Sequence, residues 1–355
     1  MKFSIVVPIG AYHPFLPYCL RSLATQREVA LEVALMDASG DQRVTALAQE
    51  YSDLLTYIHH GPDDGQSDAI LNGWKNLSGD ILGWLNADDM LFPDALNRVA
   101  QAFSSTGRVD VVYGQSSIVD EEDNFRGYQW AVEPPGDRLL ESAIISQPSC
   151  FFRKTAYDKA GGLDRNLHYT MDWDLFIRLF KSGAEFQYIE EILSKVMWGK
   201  NTKTASFEGG RKEELKRLID NHAPPDKREK IMRSFSIHHF LEGLRPDAVQ
   251  NLVTRGLVRG RKVFYGLAAD GSVVPPFILN VLHYDTAEKS AIELRFRKSK
   301  NVEQILIDGV KPDVKQTNHG FVLTPDHQFK AGEVYRVEVR TKPDKPCWFL
   351  SSAWI

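Results

Sequence analysis

The stretch "GDILGWLNADDMLFPDAL", residues 79–96, decides the fold. It opens as an apolar run, Ile81, Leu82, Trp84 and Leu85, the pattern of a strand buried on both faces. Without a break the chain then sets down Asn86, Asp88 and Asp89. It continues into "PDALNRVAQAF", where Leu96, Val99 and Phe103 recur at helical spacing. Adjacent carboxylates repel, so a strand that leaves the core in two of them needs a reason. A divalent cation between them and an anionic ligand supplies one.

Upstream, strand and helix alternate. "FSIVVPI" (3–9), "LEVALMD" (31–37) and "LLTYIHH" (54–60) are strands; "FLPYCLRSLATQ" (15–26), "DQRVTALAQEY" (41–51) and "SDAILNGWKNLSG" (67–79) are helices. In the last of these, Ser67 is expected as N-cap and Gly79 as the C-terminal stop. A fifth strand follows at "VDVVYGQ" (109–115). Such alternation with short links predicts a doubly wound, mostly parallel sheet with helices on both faces. From 125 to 200 the order loosens. "FRGYQWAVE" reads as a strand, "AIISQPSCFFRK" holds another apolar run, "MDWDLFIRLFKSG" is a buried helix, and "FQYIEEILSKVMW" reads as a final strand pair.

Residues 206–270 read as a charged helical linker, broken at "APPD". From 271 to 355 short strands separated by "SKN", "GVKPD", "PDHQ" and "KPDKP" predict an antiparallel β-sandwich. The expected organisation is therefore an α/β domain over 1–205, the linker, and a sandwich.

At 355 residues, two domains are the better expectation. A formal charge of −4 gives no reason to expect nucleic acid as partner. Cys19, Cys150 and Cys347 are odd in number and far apart. They make neither a disulfide framework nor a zinc site and point to a reducing, cytoplasmic compartment. The six-residue apolar run near the N-terminus is too short for a signal-peptide core, and no window is apolar enough to span a membrane.

Ligands of open α/β sheets bind at the carboxyl ends of the strands. Here those ends carry Pro8, Ile9 and Gly10; then Asp37, Ala38 and Ser39; then "GPDDGQSD"; then Asn86, Asp88 and Asp89. Asp68 and Asn72 share a helix face beside them. Two acids are too few for an all-protein cage, but they suit Mg²⁺ or Mn²⁺ whose other ligands are water and a diphosphate. Neither a "GxxxxGK[ST]" loop nor "GxGxxG" is present to bind phosphate instead. Asp172, at the head of the buried helix among Tyr169 and Trp173, suits a general base; Asp174 competes with it, and either could instead cap the helix.

The order of these strings resembles the inverting glycosyltransferases of family 2, which have the GT-A fold. "SIVVPI", "LMDASGDQR", "DDGQSDAILNGW", "GDILGWLNADDMLFPDAL", "QPSCFFRKTAYDKAGGLD" and "MDWDLFIRL" carry the resemblance over about the first 205 residues. It implies a nucleotide-diphosphate sugar as donor and a glycan or lipid-linked glycan as acceptor, in bacterial surface polysaccharide synthesis. Asp37 would accept a hydrogen bond from the base, and Pro8 and Ile9 would line its pocket. Asp64, Gln66 and Asp68 would lie near base and ribose. Asn86, Ala87 and Asp88 occupy the D-x-D positions, with Asp88 or Asp89 holding Mn²⁺ or Mg²⁺, and Asp172 matches the catalytic aspartate.

Two features depart from the family pattern. "IGAY" follows the first-strand proline, and "VMWGKNTKTAS" lacks the late histidine, offering Trp198, Lys200 and Asn201. His59 and His60 read as polar strand-end residues, and His238 and His239 as solvent-facing. Arg255, Arg259, Arg261 and Lys262 read as a solvated face or domain interface, with docking on the inner face of a membrane as the alternative. Phe321, Tyr335, Trp348 and Trp354 read as core rather than sugar-stacking surface. Two rival functions are a sugar-phosphate nucleotidyltransferase, which favours a Gly- and Lys/Arg-rich loop where "IGAYHPF" stands, and a non-catalytic carbohydrate-binding protein.

Overall fold

The computed structural model describes residues 1–105, 108–129, 133, 135–197, 210–243, 263–268, 271–283 and 289–355. Trp198, Lys200, Asn201, residues 244–262 of the expected helical linker and the basic cluster there, Arg255, Arg259, Arg261 and Lys262, lie outside them, as do the side chains of His238 and His239. The described residues within Met1–Ser116, Gln129–Val196 and Lys200–Ser234 form one compact unit. Those within Ser117–Tyr128, Met197–Gly199 and Phe235–Ile355 form another.

In chain order the elements up to residue 243 are β1 (Lys2–Ile9), α1 (Leu16–Ala24), β2 (Ala30–Asp37), α2 (Gln42–Glu50), β3 (Leu55–His60), α3 (Gln66–Lys75), β4 (Ile81–Trp84), β5 (Met90–Leu91), α4 (Ala95–Ser105), β6 (Val111–Val119), β7 (Phe125–Gln129), β8 (Cys150–Arg153), α5 (Lys154–Lys159), α6 (Met171–Lys181), β9 (Phe186–Met197), α7 (Gly210–His222) and α8 (Arg228–Gly243).

The sheet of the first unit runs β6-β8-β4-β1-β2-β3. β1 is parallel to β2 and to β4, and β2 is parallel to β3. β8 is antiparallel to both β4 and β6, so it separates β6 from the parallel run it was expected to extend. "FQYIEEILSKVMW" forms the single strand β9 rather than a pair, and β9 pairs with β5 and β6. Both faces of the sheet are covered. Phe3, Ile5, Val7 and Ile9 share one buried cluster with Leu16, Leu20 and Leu23 of α1, Val44 of α2, and Leu96, Val99 and Phe103 of α4. Each such side chain contributes about 1.5–3 kcal/mol by leaving water. On the other face α3 approaches so closely that a Cβ on Gly73 would meet Val6 Cγ1 at 2.7 Å.

Gly79 does not stop α3, which ends at Lys75 with Asn76 as its C-cap. Its role is a close approach: a Cβ there would meet Ser4 Oγ at 2.6 Å and Lys2 O at 2.7 Å. Ser4 Oγ accepts from Gly79 N at 2.9 Å, so the glycine ties the entry of β4 to β1.

The second unit holds β10 (Phe277–His283), β11 (Ile292–Arg297), β12 (Val302–Ile307), β13 (Asp313–Gln316), β14 (Gly320–Thr324), β15 (Glu333–Thr341) and β16 (Trp348–Trp354). They pair antiparallel as β10-β15-β12 and as β13-β14-β11-β16, and β7 joins β16 at Phe125 and Ser352. Tyr335, Val337 and Val339 of β15 are buried at alternate positions, as period-2 patterning requires. The rings of Phe277 on β10 and Phe349 on β16 meet at 5.0 Å, joining the two sheets. Phe321 and Tyr335 are core residues, while Trp348 and Trp354 are half-buried. Among the described residues no helix is long and apolar enough to cross a membrane.

Candidate active site

The parallel strands end in register. Ile9 pairs with Asp37, and Asp37 with His60. Pro8 and Ile9 are buried, and Ile9 packs in the main core cluster. Asp37 is only 2% exposed and both of its oxygens are engaged. Oδ1 accepts from Ser39 N at 2.9 Å and from Ser39 Oγ at 2.5 Å, and Oδ2 lies 2.7 Å from His60 Nδ1. His60 thus braces the carboxylate that the resemblance assigns to the base.

Gly65, with φ of 104°, caps the N-terminus of α3, in place of the expected Ser67. A side chain disfavours that backbone region and glycine does not. Ser67 is two residues too far along, and its Oγ donates to Leu167 O at 2.6 Å. Asp68 is buried. Its Oδ2 accepts from Asn72 Nδ2 at 3.0 Å and from Asp64 N at 3.4 Å, and its Oδ1 pairs with Arg165 at 3.2 Å. Gln66 Nε2 donates to Asn86 Oδ1 at 2.7 Å, which joins the start of α3 to the end of β4.

Asn86 is the hub of the strand-end turn. Its Nδ2 donates to Asp89 Oδ2 at 3.0 Å and to Gln147 Oε1 at 3.2 Å. Gln147 Nε2 in turn donates to Trp84 O at 2.7 Å. A carbonyl oxygen only accepts, so this last bond fixes the orientation of the Gln147 amide and, through it, that of Asn86. Asp89 is 3% exposed, and Asp88 is half-buried. Burial raises the pKa of Asp89 well above the usual carboxyl range, and the charge of Asp88 raises it further against the Asn86 hydrogen bond. Burial also raises Asp88, with the nearby His13 opposing. Beneath them Cys19 Sγ donates to Asn86 O at 3.4 Å. Burial, then Asp89 and Asp88, push its thiol pKa up.

Gln147 begins a 3₁₀ turn, Gln147–Ser149, that runs into β8. Four buried hydroxyls hold it. Ser116 Oγ lies 2.5 Å from Ser146 Oγ, 2.8 Å from Ser149 Oγ and 2.7 Å from Ser194 Oγ, and Ser149 Oγ lies 2.7 Å from Ser194 Oγ. Such a network tolerates burial because every member has partners.

Asp172 sits in the first turn of α6. Its Oδ1 accepts from Trp173 N at 2.8 Å, and its charge raises the Cys150 thiol pKa, after the larger effect of burial. Asn86 thus bonds the start of the segment Gln147–Cys150, and the charge of Asp172 acts on Cys150 at its other end. Asp174 faces elsewhere. Its Oδ2 pairs with Arg178 at 2.7 Å and its Oδ1 with His222 Nε2 at 2.9 Å. Burial acts to raise its pKa, but the His222 hydrogen bond and the Arg178 charge outweigh it and hold the carboxyl below the usual range.

Gln147 and Glu214 were not singled out in the sequence, although "QPS" lies within one of the strings that carry the resemblance. Glu214, on α7, accepts from three successive backbone N–H groups at the entry to α6. Among the described residues no group of three or more His, Cys, Asp or Glu gathers to hold a metal, so a hard divalent cation could bind at Asp88 and Asp89, which burial drives toward the neutral form, only with water and substrate oxygens as its other ligands. Asp88, the more exposed of the pair, would hold it, with Asp89 behind in the grip of Asn86.

The family model of glycosyl transferase family 2 matches residues 4–161. A PGL/p-HBAD biosynthesis glycosyltransferase of Mycobacterium bovis (strain BCG / Pasteur 1173P2) is 31% identical over 186 residues, 51% of this chain and 71% of that protein. The uncharacterized glycosyltransferase RT0329 of Rickettsia typhi is 24% identical over 260 residues, 68% of this chain and 78% of that one. Among solved structures, S. aureus TarS 1-349 in complex with UDP-GlcNAc has a TM-score of 0.52 at 17% identity and covers 72% of this chain and 80% of its own. That likeness bears on the fold.

Proposed function

This chain belongs to glycosyl transferase family 2, and we propose that it moves a sugar, with inversion, from a nucleotide-diphosphate sugar to a hydroxyl of a glycan or lipid-linked glycan in bacterial surface polysaccharide synthesis. It is a glycosyltransferase; donor, acceptor and stereochemistry are the proposed part. The observation that carries the reading is the turn at the end of β4, where Asn86 holds the buried Asp89 beside the half-buried Asp88. A nucleotide-sugar donor agrees with the UDP-GlcNAc held by TarS. We place the work on the cytoplasmic side, with peripheral contact to the membrane where the acceptor is lipid-linked.

In the proposed reaction Asp172 takes the proton of the acceptor hydroxyl. The oxygen forms a bond to the anomeric carbon from the face opposite the diphosphate. The bond from that carbon to the phosphate oxygen breaks, and its electron pair leaves with the nucleoside diphosphate. Mn²⁺ or Mg²⁺ held at Asp88 would supply neutralising charge for that leaving group. Asn86 and Gln147 hold the strand-end turn in place, and Asp37 with Gln66 and Asp68 would meet the base and ribose.

The test is a screen of UDP-, GDP- and dTDP-sugars, with Mn²⁺ and with EDTA, monitoring release of nucleoside diphosphate. Turnover is expected to need the metal, and Asp172→Asn to lower kcat about a hundredfold or more. Turnover indifferent to EDTA removes the metal from the mechanism, and an Asp172→Asn enzyme at full rate removes the base.

A further inference from the structure

The geometry points to Glu214 as a positioning residue for Asp172: it acts from a different helix by holding the backbone that delivers the base. The inference rests on Asp172 being the base.

α6 begins without a side-chain cap. Thr170 is its N-cap residue and makes no capping hydrogen bond to the helix. The three residues that lead into it, His168, Tyr169 and Thr170, aim successive N–H groups at one point. Glu214 fills that point. Its Oε1 accepts from His168 N at 2.8 Å, and its Oε2 from Tyr169 N at 2.8 Å and Thr170 N at 3.2 Å, with Thr170 Oγ1 at 3.4 Å. Consecutive N–H groups of this kind form an anion-binding concavity, here occupied by a carboxylate of the same chain. Charge-assisted bonds to a buried carboxylate are among the stronger hydrogen bonds, and Glu214 is 7% exposed.

The same short loop is tied on its other side to α3, whose first residues the proposed function assigns to the donor. Arg165 pairs with Asp68 at 3.2 Å, and Ser67 Oγ donates to Leu167 O at 2.6 Å. A Cβ on Gly65 would lie 3.4 Å from His168 Nδ1. α7 grips α6 a second time, one helical turn in, through His222 and Asp174 at 2.9 Å. Loop 164–170 is therefore held between the proposed donor-side helix and α7, and two residues past its end stands Asp172. A base must meet the acceptor hydroxyl within hydrogen-bond reach, and a displacement of about 1 Å can cost on the order of a hundredfold in rate. Without Glu214 three N–H groups lose their acceptor and the entry to α6 is free to shift.

The experiment is a mutant cycle in the nucleotide-sugar turnover assay. Glu214→Ala is expected to lower kcat, per folded molecule, about tenfold to a hundredfold, while the donor KM stays within about threefold. Glu214→Gln retains one accepting oxygen and is expected to recover part of the loss. It also serves if the alanine variant does not fold. Because Glu214 acts through Asp172, the double variant with Asp172→Asn is expected to be no slower than Asp172→Asn alone. A purely structural role predicts otherwise: an unchanged kcat with a lower melting temperature, or losses that multiply in the double variant. Either result overturns the inference. If Asp172→Asn alone keeps full turnover, the base assignment fails instead. If it is inactive while both Glu214 variants run at the wild-type rate, only the positioning role falls.

Discussion

Asn86→Asp would restore an acid at the first D-x-D position, and the structure predicts that it harms the protein. In the native turn Asn86 Nδ2 stands 3.0 Å from Asp89 Oδ2 and 3.2 Å from Gln147 Oε1. The substitution puts an acceptor oxygen where that donor was, facing two other acceptors. Two charges 3 Å apart at an effective dielectric of about 20 repel by roughly 5 kcal/mol. The protein can escape by keeping a proton on one carboxyl. At pH 7.5 that costs about 1.4 kcal/mol for each pH unit above an unfolded pKa near 3.9, again roughly 5 kcal/mol. At pH 5.5 the same proton costs only about 2 kcal/mol. Burial already biases Asp89 toward the neutral form in the wild type, so the expected loss is at most about 4–5 kcal/mol at pH 7.5, shrinking to at most about 2 kcal/mol at pH 5.5. Urea unfolding of both proteins in EDTA at the two pH values measures it. A variant as stable as wild type at pH 7.5, or a deficit that does not shrink on acidification, refutes the placement of Asn86 as the donor that separates these groups.

Asp174 should behave as a structural acid. Its folded pKa is depressed, so its pairing contributes fully above the unfolded value near 4 and is lost as pH falls through the folded value. Asp174→Asn is expected to cost about 2–3 kcal/mol at pH 7 and almost nothing once the pH lies below the folded value; an acid-side deficit equal to that at pH 7 would contradict this. Ser116→Ala removes the hub of the four buried hydroxyls and is expected to cost about 1–3 kcal/mol in urea unfolding. No loss would mean that the remaining serines satisfy one another without it. Gly79→Ala drives a Cβ into Lys2 O and Ser4 Oγ, and a melting temperature equal to wild type would refute that close approach.

Much of the first unit was legible because its signals are local. β1 to β4 and α1 to α4 show themselves as apolar runs and helical spacings within a dozen residues. Their alternation restricts the strands to a parallel sheet with ligand-facing carboxyl ends. The errors have particular causes. Ser67 has the chemistry of an N-cap, but Leu167 O, a hundred residues away, takes its hydroxyl, and Gly65 supplies the unusual φ instead. "FQYIEEILSKVMW" reads as two strands because Glu190 and Glu191 interrupt its apolar pattern, yet one continuous strand passes both β5 and β6.

What the sequence determined by itself was the alternation of elements, the edge at which acids gather, and the types of group available there, because periodicity and residue chemistry are properties of neighbours along the chain. Tertiary structure alone decided that β8 enters between β4 and β6, that Asp174 is spent on His222, and that Gln147 and Glu214 hold the acids' surroundings in place. Those are contacts between residues tens of positions apart. No local pattern encodes them, because each is set by which strands and helices come to lie side by side once the apolar faces are buried.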